Sequence, residues 1–293
     1  MEDKLIDGKK VSAQLRENLK NSVEQLKQNG YVPSLVVILV GDDPASNIYI
    51  NSKSKAAGKL GIHSETIRLN ESTTQEELLE LISKFNSDDN YNGILVQLPL
   101  PKHINEALVL SSINTAKDVD CFHPENVGRL VSGNPYLLPC TPAGIIELLK
   151  AYNISTSGKN VVIAGRSNIV GKPLANILIQ KKDYANATVT VVHSRTQHIE
   201  NFFKDADIII AAIGKANFLK SSMVKDGVAV IDVGINRIPA DNEKGYVLVG
   251  DADFNDLLSK VSKITPVPGG VGPMTITMLL YNTVQACKTQ NML

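Results

Sequence analysis

The stretch Val161–Pro173, VVIAGRSNIVGKP, combines an apolar run with a glycine-containing turn, and it decides the fold class. Val161–Ala164 are four apolar residues, three of them β-branched, which is typical of a buried strand. The apolar run Leu174–Ile179 after the turn predicts a helix. A strand, a glycine turn and a helix in this order form the first unit of a dinucleotide-binding fold, in which the helix N-terminus offers N–H groups to a pyrophosphate.

The glycines of this turn are spaced differently from the usual G-x-G-x-x-G pattern. Gly165 suits a tight turn at the end of the strand, and Gly171 suits close packing of the helix on the sheet. Ser167 stands where the second glycine of the pattern usually lies. Because a looser turn of this type also joins ordinary strands and helices, the turn alone leaves both interpretations open.

Composition and charge limit the classes of function. The 293 residues suit two domains of ordinary size. The 30 basic and 30 acidic residues balance without long runs of either sign, which argues against nucleic-acid and membrane partners. No apolar run is long enough to span a bilayer, and no secretory signal is expected at the start of the chain. Three widely separated cysteines, Cys121, Cys140 and Cys287, predict reduced thiols in a cytoplasmic protein.

Helical and strand patterns alternate along the chain, which predicts an α/β fold with parallel or mostly parallel sheets. The predicted helices are Lys9–Gln28 with Asp7 as cap, one ending near Leu60, one capped by Thr73 or Thr74 and ending near Phe85, one capped by Thr141 and ending near Tyr152, and about Pro273–Lys288. The further predicted strands are Leu35–Val40, Ile62–Leu69, Gly93–Leu98, Thr188–Val192, Ile208–Ala212 and Val228–Val233.

Tyr49 and Lys53 lie four residues apart on the second predicted helix, so they share one face. This helix follows a buried strand, and open α/β sheets bind ligands at the carboxyl ends of their strands. Gln97 lies near the carboxyl end of the predicted strand Gly93–Leu98, and a cis X-Pro bond in the following Pro99–Pro101 segment would place its amide beside Lys53. Tyr-x-x-x-Lys also occurs in short-chain dehydrogenases, but there the pair follows the glycine turn, whereas here it comes more than a hundred residues before it. That identity is therefore rejected.

Asp120 lies at the end of a loop-like stretch and has paired acceptors for the amino and ring N–H groups of a substrate. A loop aspartate is also a common turn former. Cys121 and His123 lie close by, but no other histidine or cysteine stands near them in sequence, so no metal site is predicted.

Eight sequence blocks resemble the methylenetetrahydrofolate dehydrogenase/cyclohydrolase family, and they follow the family's order over essentially the whole chain. The blocks are Ser46-x-x-Tyr49-x-x-x-Lys53, Val96–Pro101, Lys117–Asp120, Phe122–Gly128, Pro139–Gly144, Gly165–Pro173, Val230–Asn236 and Pro266–Thr275. The chain length resembles the bifunctional bacterial type, without the large formyltetrahydrofolate synthetase domain of the trifunctional relatives.

The resemblance implies two α/β domains with a cleft between them. A catalytic and folate-binding domain would span residues 1–138 and be completed by the C-terminal helix, about 273–293. A Rossmann-like NADP-binding domain would span residues 139–272. The family commonly forms homodimers through its nucleotide domain, and its substrates are tetrahydrofolate one-carbon derivatives used in purine biosynthesis.

The resemblance also implies two reactions and the residues that serve them. NADP-dependent oxidation of 5,10-methylenetetrahydrofolate to the methenyl form needs alignment but no proton transfer, whereas hydrolysis to 10-formyltetrahydrofolate needs proton transfer. Lys53 matches the family's proton-transfer residue, with a pKa that burial and a cationic substrate would lower from about 10.4. Tyr49 and Gln97 would hold Lys53 and the attacking water, and Asp120 would anchor the pterin. The loop containing Pro268 and Gly269 is a further expected contact of the substrate.

The residues after Thr188–Val192 favour NADP over NAD. An NAD site usually has an acidic residue there, whereas this chain has His193-Ser194-Arg195-Thr196, whose hydroxyl and cation suit a 2′-phosphate. The resemblance places Arg166 and Ser194 on that phosphate. The predicted cofactor-binding residues are Gly165, Arg166, Ser167, Ile169, Gly171, Ser194, Arg195 and Ile235.

Two departures from the family and two alternative functions remain. Cys121 stands where a glycine is usual, and Ala216 stands where a proline is usual, so the fine position of the pockets stays open. The alternatives are a folate- or nucleotide-binding protein without catalysis, and a dehydrogenase with weak cyclohydrolase. The presence of the four residues Lys53, Tyr49, Gln97 and Asp120 argues against the first.

Overall fold

The computed structural model describes residues 2–243 and 245–292, and the chain divides into two compact units. The first, called the nucleotide unit below, comprises the residues up to Ala13 and Thr141–Thr275. The second, called the folate unit, comprises Gln14–Cys140 and the residues from Ile276 onward. No helix within the described ranges combines the length and apolar character needed to cross a bilayer.

The folate unit is built on a three-stranded parallel sheet. Its strands are Ser34–Val40 (β1), His63–Leu69 (β2) and Gly93–Val96 (β3), in the order β2–β1–β3. Every residue of β1 is buried, because the central strand is paired on both sides and its apolar side chains are covered on both faces. Its helices are the greater part of Gly8–Gln28 (α1), then Pro44–Leu60 (α2), Gln75–Asn86 (α3), Glu106–Ser112 (α4) and Pro124–Val131 (α5).

The helix caps follow from local sequence. The Asp7 carboxylate accepts a hydrogen bond from the Lys10 N–H at 3.0 Å, as predicted for the start of α1. Thr74 and Glu77 form a capping box at the start of α3, so Thr74 rather than Thr73 is the cap. The stretch before Lys117, interpreted from sequence as loop-like, contains α4, whose seven residues are too few to show a helical period.

The strands of the nucleotide unit are Asn160–Ala164 (β4), Thr188–Val192 (β5), Ile208–Ala211 (β6), Ala229–Asp232 (β7), Asn236–Pro239 (β8), Tyr246–Val249 (β9) and Lys263–Ile264 (β10). Five of them form a parallel sheet in the order β10–β7–β6–β4–β5, and β8 and β9 form a separate antiparallel hairpin. Its helices are Cys140–Ala151 (α6), Gly171–Leu178 (α7), Glu200–Phe203 (α8), Phe254–Leu257 (α9) and the start of Val271–Gln290 (α10).

The order of these strands confirms the predicted Rossmann-like fold. The chain leaves β4 for β5 on one side and then returns to β6 on the other side of β4. This reversal creates a topological switch point at the carboxyl ends of β4 and β6, which is where sheets of this class bind dinucleotides.

Several predicted boundaries differ from the structure by one to three residues, and three of them concern the candidate site or its connections. Because α6 begins at Cys140, Thr141 lies in its first turn rather than at its cap, and its hydroxyl lies 3.0 Å from that of Thr275. Helix α10 begins at Val271 rather than Pro273. Strand β3 ends at Val96, but the Gln97 N–H still donates to the Ile38 carbonyl at 2.8 Å. The backbone of Gln97 is therefore fixed against β1.

Candidate active site

Lys53 and Gln97 are in direct contact in the folate unit. Lys53 lies on α2, its residue is 7% exposed, and its Nζ donates to the Gln97 Oε1 at 2.9 Å. The Gln97 amide nitrogen in turn donates to the Leu98 carbonyl at 2.7 Å, and the Leu98–Pro99 bond is cis. The predicted proximity of Lys53 to the end of β3 is confirmed, and the side chain of Gln97 is held on both of its polar atoms.

The surroundings of the Lys53 amine favour its neutral form. Burial lowers the pKa of Lys53, because a charged ammonium loses its hydration there. The Asp120 carboxylate opposes this effect and raises the pKa of Lys53. Because its pKa is lowered, the Lys53 amine gives up its proton at a lower pH than an ordinary surface lysine, which suits it to proton transfer.

Asp120 is half-buried and lies on a loop that a second carboxylate fixes. Asp118 is buried and accepts hydrogen bonds from the N–H groups of Phe122 and His123, at 3.2 and 2.8 Å. The Asn126 side chain donates to it at 2.9 Å. Despite these donors, burial raises the pKa of Asp118. Asp118 therefore shapes the loop that presents Asp120, a role that the sequence pattern did not reveal.

Cys140 is a member of this cluster that sequence analysis missed. Its thiol is buried, contacts the Asp120 carboxylate, and lies 3.4 Å from the Val119 carbonyl. Burial and the Asp120 charge raise the pKa of Cys140 well above its usual value, so it remains a neutral thiol. Its place in the family-like block Pro139–Gly144 was the available signal.

Tyr49 lies one turn before Lys53 on α2, as predicted. Its side chain is half-buried, and burial raises the pKa of its phenol above the usual value. The phenol is therefore neutral at physiological pH and can both donate and accept a hydrogen bond.

The departure at Cys121 has a backbone explanation. Cys121 has a φ of 61°, in the left-handed region that glycine adopts without cost. A glycine at this position in the family that the sequence resembles would suit the same turn. Cys121 is also buried, so the turn is kept with a side chain packed inside the folate unit.

The glycine turn after β4 leaves no space for side chains at two positions. Gly165 has a φ of 143°, and a Cβ there would lie 2.1 Å from the Ala212 carbonyl oxygen. A Cβ on Gly171 would lie 2.1 Å from the Gly165 carbonyl oxygen. The Ser167 hydroxyl accepts from the Val170 N–H at 3.1 Å and shapes the loop between them. This bare backbone beside the switch point fits the close approach of a pyrophosphate.

The predicted 2′-phosphate residues lie at the ends of neighbouring strands. Arg166 follows β4, and Ser194 and Arg195 follow β5, with all three side chains exposed. The turn after β5 is closed by hydrogen bonds of His193 with Thr196, at 2.9 and 2.8 Å. Two cations and a hydroxyl thus occupy one edge of the nucleotide unit.

The other predicted residues lie on exposed loops of the same unit. Ile169 and Ile235 are 43% and 50% exposed, after β4 and β7 respectively. Pro268 is exposed and follows a cis bond, and the Gly269 carbonyl accepts from the Lys9 N–H at 3.1 Å. Gly269 has a φ of 112°, which only glycine adopts readily. Within residues 2–243 and 245–292, no group of three or more metal-ligating side chains is suited to hold a metal ion.

Comparison with known proteins places this geometry in a family. The model of the tetrahydrofolate dehydrogenase/cyclohydrolase catalytic domain matches residues 6–120, and that of its NAD(P)-binding domain matches residues 139–291. The chain is 56% identical to the bifunctional protein FolD of Acetivibrio thermocellus, over 99% of each chain.

Solved structures of similar proteins support the same family. The FolD dehydrogenase/cyclohydrolase of Campylobacter jejuni has a TM-score of 0.92 and 52% identity, covering 98% of this chain and 99% of its own. The FolD of Trypanosoma brucei, solved with NADP and an inhibitor, has a TM-score of 0.93 and 38% identity over 98% of each chain. The chain therefore belongs to the tetrahydrofolate dehydrogenase/cyclohydrolase family, and it is a bifunctional enzyme of that kind.

Proposed function

We propose that this enzyme carries out hydrolysis with Lys53, Gln97, Tyr49 and Asp120 of the folate unit, and binds NADP with the residues after β4 and β5. Its reactions are the oxidation of 5,10-methylenetetrahydrofolate to the methenyl form and the hydrolysis of that product to 10-formyltetrahydrofolate. The contact between the buried Lys53 amine and the Gln97 amide carries the assignment, because it supplies a poised proton acceptor with a fixed position.

Hydride transfer makes few chemical demands on the protein. The lone pair of the adjacent substrate nitrogen expels the hydride, and no proton moves. Bound NADP supplies the hydride acceptor. The chain's own residues bind and orient: Asp120 accepts hydrogen bonds from the pterin, and Gly165 and Gly171 admit the pyrophosphate. Pro268 and Gly269 are further contacts of the substrate in this proposal.

Hydrolysis needs a base and an acid. Water attacks the methenyl carbon and loses a proton, and one C–N bond then breaks as its nitrogen gains a proton. The neutral Lys53 Nζ accepts the first proton and returns one to the departing nitrogen. Gln97 fixes the amine through its Oε1, and the neutral Tyr49 phenol hydrogen-bonds the water. The lowered pKa of Lys53 increases the share of neutral amine that is available for the first step.

The preference for NADP rests on the chemistry after β4 and β5. The exposed Arg166 and Arg195 and the Ser194 hydroxyl supply charge-assisted and neutral hydrogen bonds to a 2′-phosphate. No acidic residue stands in the turn His193–Thr196 to hold the free ribose hydroxyl of NAD. The Trypanosoma brucei relative, solved with NADP, supports the same cofactor.

A two-product assay tests this function. Purified protein is given 5,10-methylenetetrahydrofolate with NADP or NAD, and reduced cofactor and methenyl product are followed separately. Reduction of NADP with little methenyl accumulation is the expected result. Lasting methenyl product would contradict the role of Lys53, and no turnover by folded protein would favour a binding protein without catalysis.

The assembly, location and domain division of the enzyme are also proposals. A homodimer through the nucleotide unit is supported by the position of β5 at the edge of the sheet among the described residues, and by the exposed apolar side chain of Val191 on that strand. Sedimentation equilibrium of wild type and Val191→Lys tests it. A cytoplasmic location fits the three free, buried cysteines. The functional boundary between residues 138 and 139 coincides with the start of the matched NAD(P)-binding model.

A further inference from the structure

Asp232 and Asp251 are two buried carboxylates of the nucleotide unit, 3% and 0% exposed. Asp232 is the last residue of β7. Its Oδ1 accepts from the N–H groups of Gly234 and Asp251, at 3.0 and 2.9 Å, and its Oδ2 accepts from the Ala252 N–H at 2.9 Å. This carboxylate therefore joins the loop after β7 to the segment after β9.

Asp251 extends the same network to a third segment. Its Oδ2 accepts from the Gly214 N–H at 2.7 Å, and its Oδ1 accepts from the Asn236 side-chain amide at 2.9 Å. Gly214 follows β6 and Asn236 begins β8. The two carboxylates together fix the backbone just beyond the carboxyl ends of β6 and β7.

The chain makes room for both carboxylates. A Cβ on Gly234 would lie 2.2 Å from the Asp251 Oδ1, and a Cβ on Gly250 would lie 1.7 Å from the Asp232 Oδ2. The ion pairs found among the described residues include neither aspartate. Burial raises the pKa of Asp232 to about 7. Burial of a poorly hydrated carboxylate that is held mainly by N–H groups lowers the stability of the fold. The structural effect of this carboxylate is that its hydrogen bonds fix the geometry of the loops.

The position of this network relates it to one half of the cofactor. The pyrophosphate turn follows β4, and the proposed 2′-phosphate residues follow β5, on one side of the switch point. Strands β6 and β7 lie on the other side. A dinucleotide that crosses the switch point with its adenosine end over β5 has its nicotinamide end over β6 and β7.

We propose that Asp232 and Asp251 are positioning residues for hydride transfer, which fix the loops at Gly214 and Ile235 against the nicotinamide end of NADP. This inference rests on the proposed cofactor site. Neither carboxylate moves a proton or touches the reacting carbon. Their effect is confined to the dehydrogenase reaction, because hydrolysis uses no nicotinamide.

Asp251→Ala is the primary test, since it removes the acceptor for the Gly214 N–H and for Asn236. We expect the dehydrogenase kcat to fall about 10-fold or more and the KM for NADP to rise, as a displaced reactant loses rate steeply. Cyclohydrolase, measured on methenyltetrahydrofolate without NADP, should stay within about two-fold of wild type. The preference for NADP over NAD should be unchanged, because the 2′-phosphate residues follow β5.

Two further variants separate positioning from folding. Asp251→Asn keeps an oxygen for the Gly214 N–H, and the Asn236 amide can turn to accept from the new amide, so this variant should recover most of the dehydrogenase rate. Asp256→Ala is the matched control, because it also removes a carboxylate that accepts two hydrogen bonds in the nucleotide unit. Asp256 lies on α9, and its exposed carboxylate accepts from the N–H and the hydroxyl of Ser221 at 2.6 and 2.8 Å. It should leave both activities unchanged.

The outcomes decide between the explanations. A selective loss of dehydrogenase in Asp251→Ala, recovered in Asp251→Asn, supports positioning. Equal losses of both activities together with a lower melting temperature would reduce the pair to a structural role and overturn the inference. An unchanged dehydrogenase would overturn it as well, while leaving the function itself intact. Wild-type protein without dehydrogenase activity would instead refute the proposed function.

Discussion

Replacing Lys53 with methionine should separate the two activities of this enzyme. The substitution keeps an unbranched side chain at a site that is 7% exposed and removes the amine that contacts the Gln97 Oε1 at 2.9 Å. A positioned proton-transfer group contributes about 10²–10⁴-fold in rate, or about 3–5 kcal/mol of barrier. Cyclohydrolase should fall by that factor. Dehydrogenase should fall by less than about 10-fold, because no proton moves in that step.

Stability sets a second expectation for the same variant. The Gln97 oxygen loses its donor. Leaving a fully buried acceptor unpaired costs about 1–3 kcal/mol, and the cost is smaller here because Gln97 is only half-buried. Removal of the buried amine, whose charged form is poorly hydrated, offsets part of that cost. The pKa of Lys53 is lower in the folded protein than in the unfolded chain, where it is about 10.4. At a pH between the two pKa values, the unfolded chain therefore binds more protons than the folded protein. Wild-type stability should therefore rise with pH in that window relative to Lys53→Met.

Lys117→Met is the matched control for a buried lysine. The Lys117 Nζ donates to the carbonyl oxygens of Phe85 and Asp88, at 2.9 and 2.8 Å, and so has a structural role in the same unit. It should lower the melting temperature while sparing the ratio of the two activities. Stopped assays of methenyl hydrolysis and NADP reduction on both variants decide the matter. If Lys53→Met hydrolyses methenyltetrahydrofolate as fast as wild type, the assignment of Lys53 as the base is wrong.

Three other variants, one of them paired with a control variant, probe the remaining assignments. Arg166→Ala should raise the KM for NADP about 10-fold or more with little effect on the KM for NAD, since it removes about 1.5–3 kcal/mol of charged hydrogen bonding. Equal changes of KM for both cofactors in steady-state kinetics would refute the contact of Arg166 with the 2′-phosphate. Gly165→Ala should abolish cofactor binding in calorimetry, because the new Cβ would clash with the Ala212 carbonyl oxygen. Gly227→Ala is its control, with a φ of 80° and open space around the new Cβ, and it should lower the folding stability by only about 1 kcal/mol in thermal melts. Asp120→Asn should shift the rising limb of the cyclohydrolase kcat–pH profile to lower pH, because the carboxylate raises the pKa of Lys53, and a shift to higher pH would contradict that coupling.

The elements that local sequence specifies were predicted well. Strand β4, its glycine turn and α7 are contiguous, and each residue type there reports on its own backbone conformation. The proximity of Lys53 and Gln97 was also predictable, because parallel strands present their carboxyl ends at one edge. The contact between Lys53 and Gln97 follows from the parallel pairing of β1 with β3. This pairing places Gln97, which follows β3, beside the carboxyl end of β1, from which the chain continues into α2.

Features that depend on distant residues were not predictable. The chain start joins the nucleotide unit because the Ile6 N–H donates to the Ile264 carbonyl at 2.9 Å, across more than 250 residues. No pattern near Ile6 indicates that partner. The Cys140 thiol and the Asp232 carboxylate acquire their environments in the same way. Their neighbours in space come from other segments, so sequence showed them only as members of family-like blocks.

The division of residues between two units gives the two activities different sensitivities. Lys53, Gln97 and Asp120 belong to the folate unit, whereas Gly165 and the proposed phosphate ligands belong to the nucleotide unit. Hydrolysis requires only the first set, but hydride transfer joins a folate carbon to a nicotinamide and requires both. Substitutions of the proposed cofactor-binding residues should therefore lower dehydrogenase alone, and substitution of Asp120 should lower both activities. The ratio of the two rates thus separates proton-transfer residues from cofactor-binding residues independently of the amount of folded protein. A folate-binding residue such as Asp120 is identified instead by a fall of both rates per mole of folded protein.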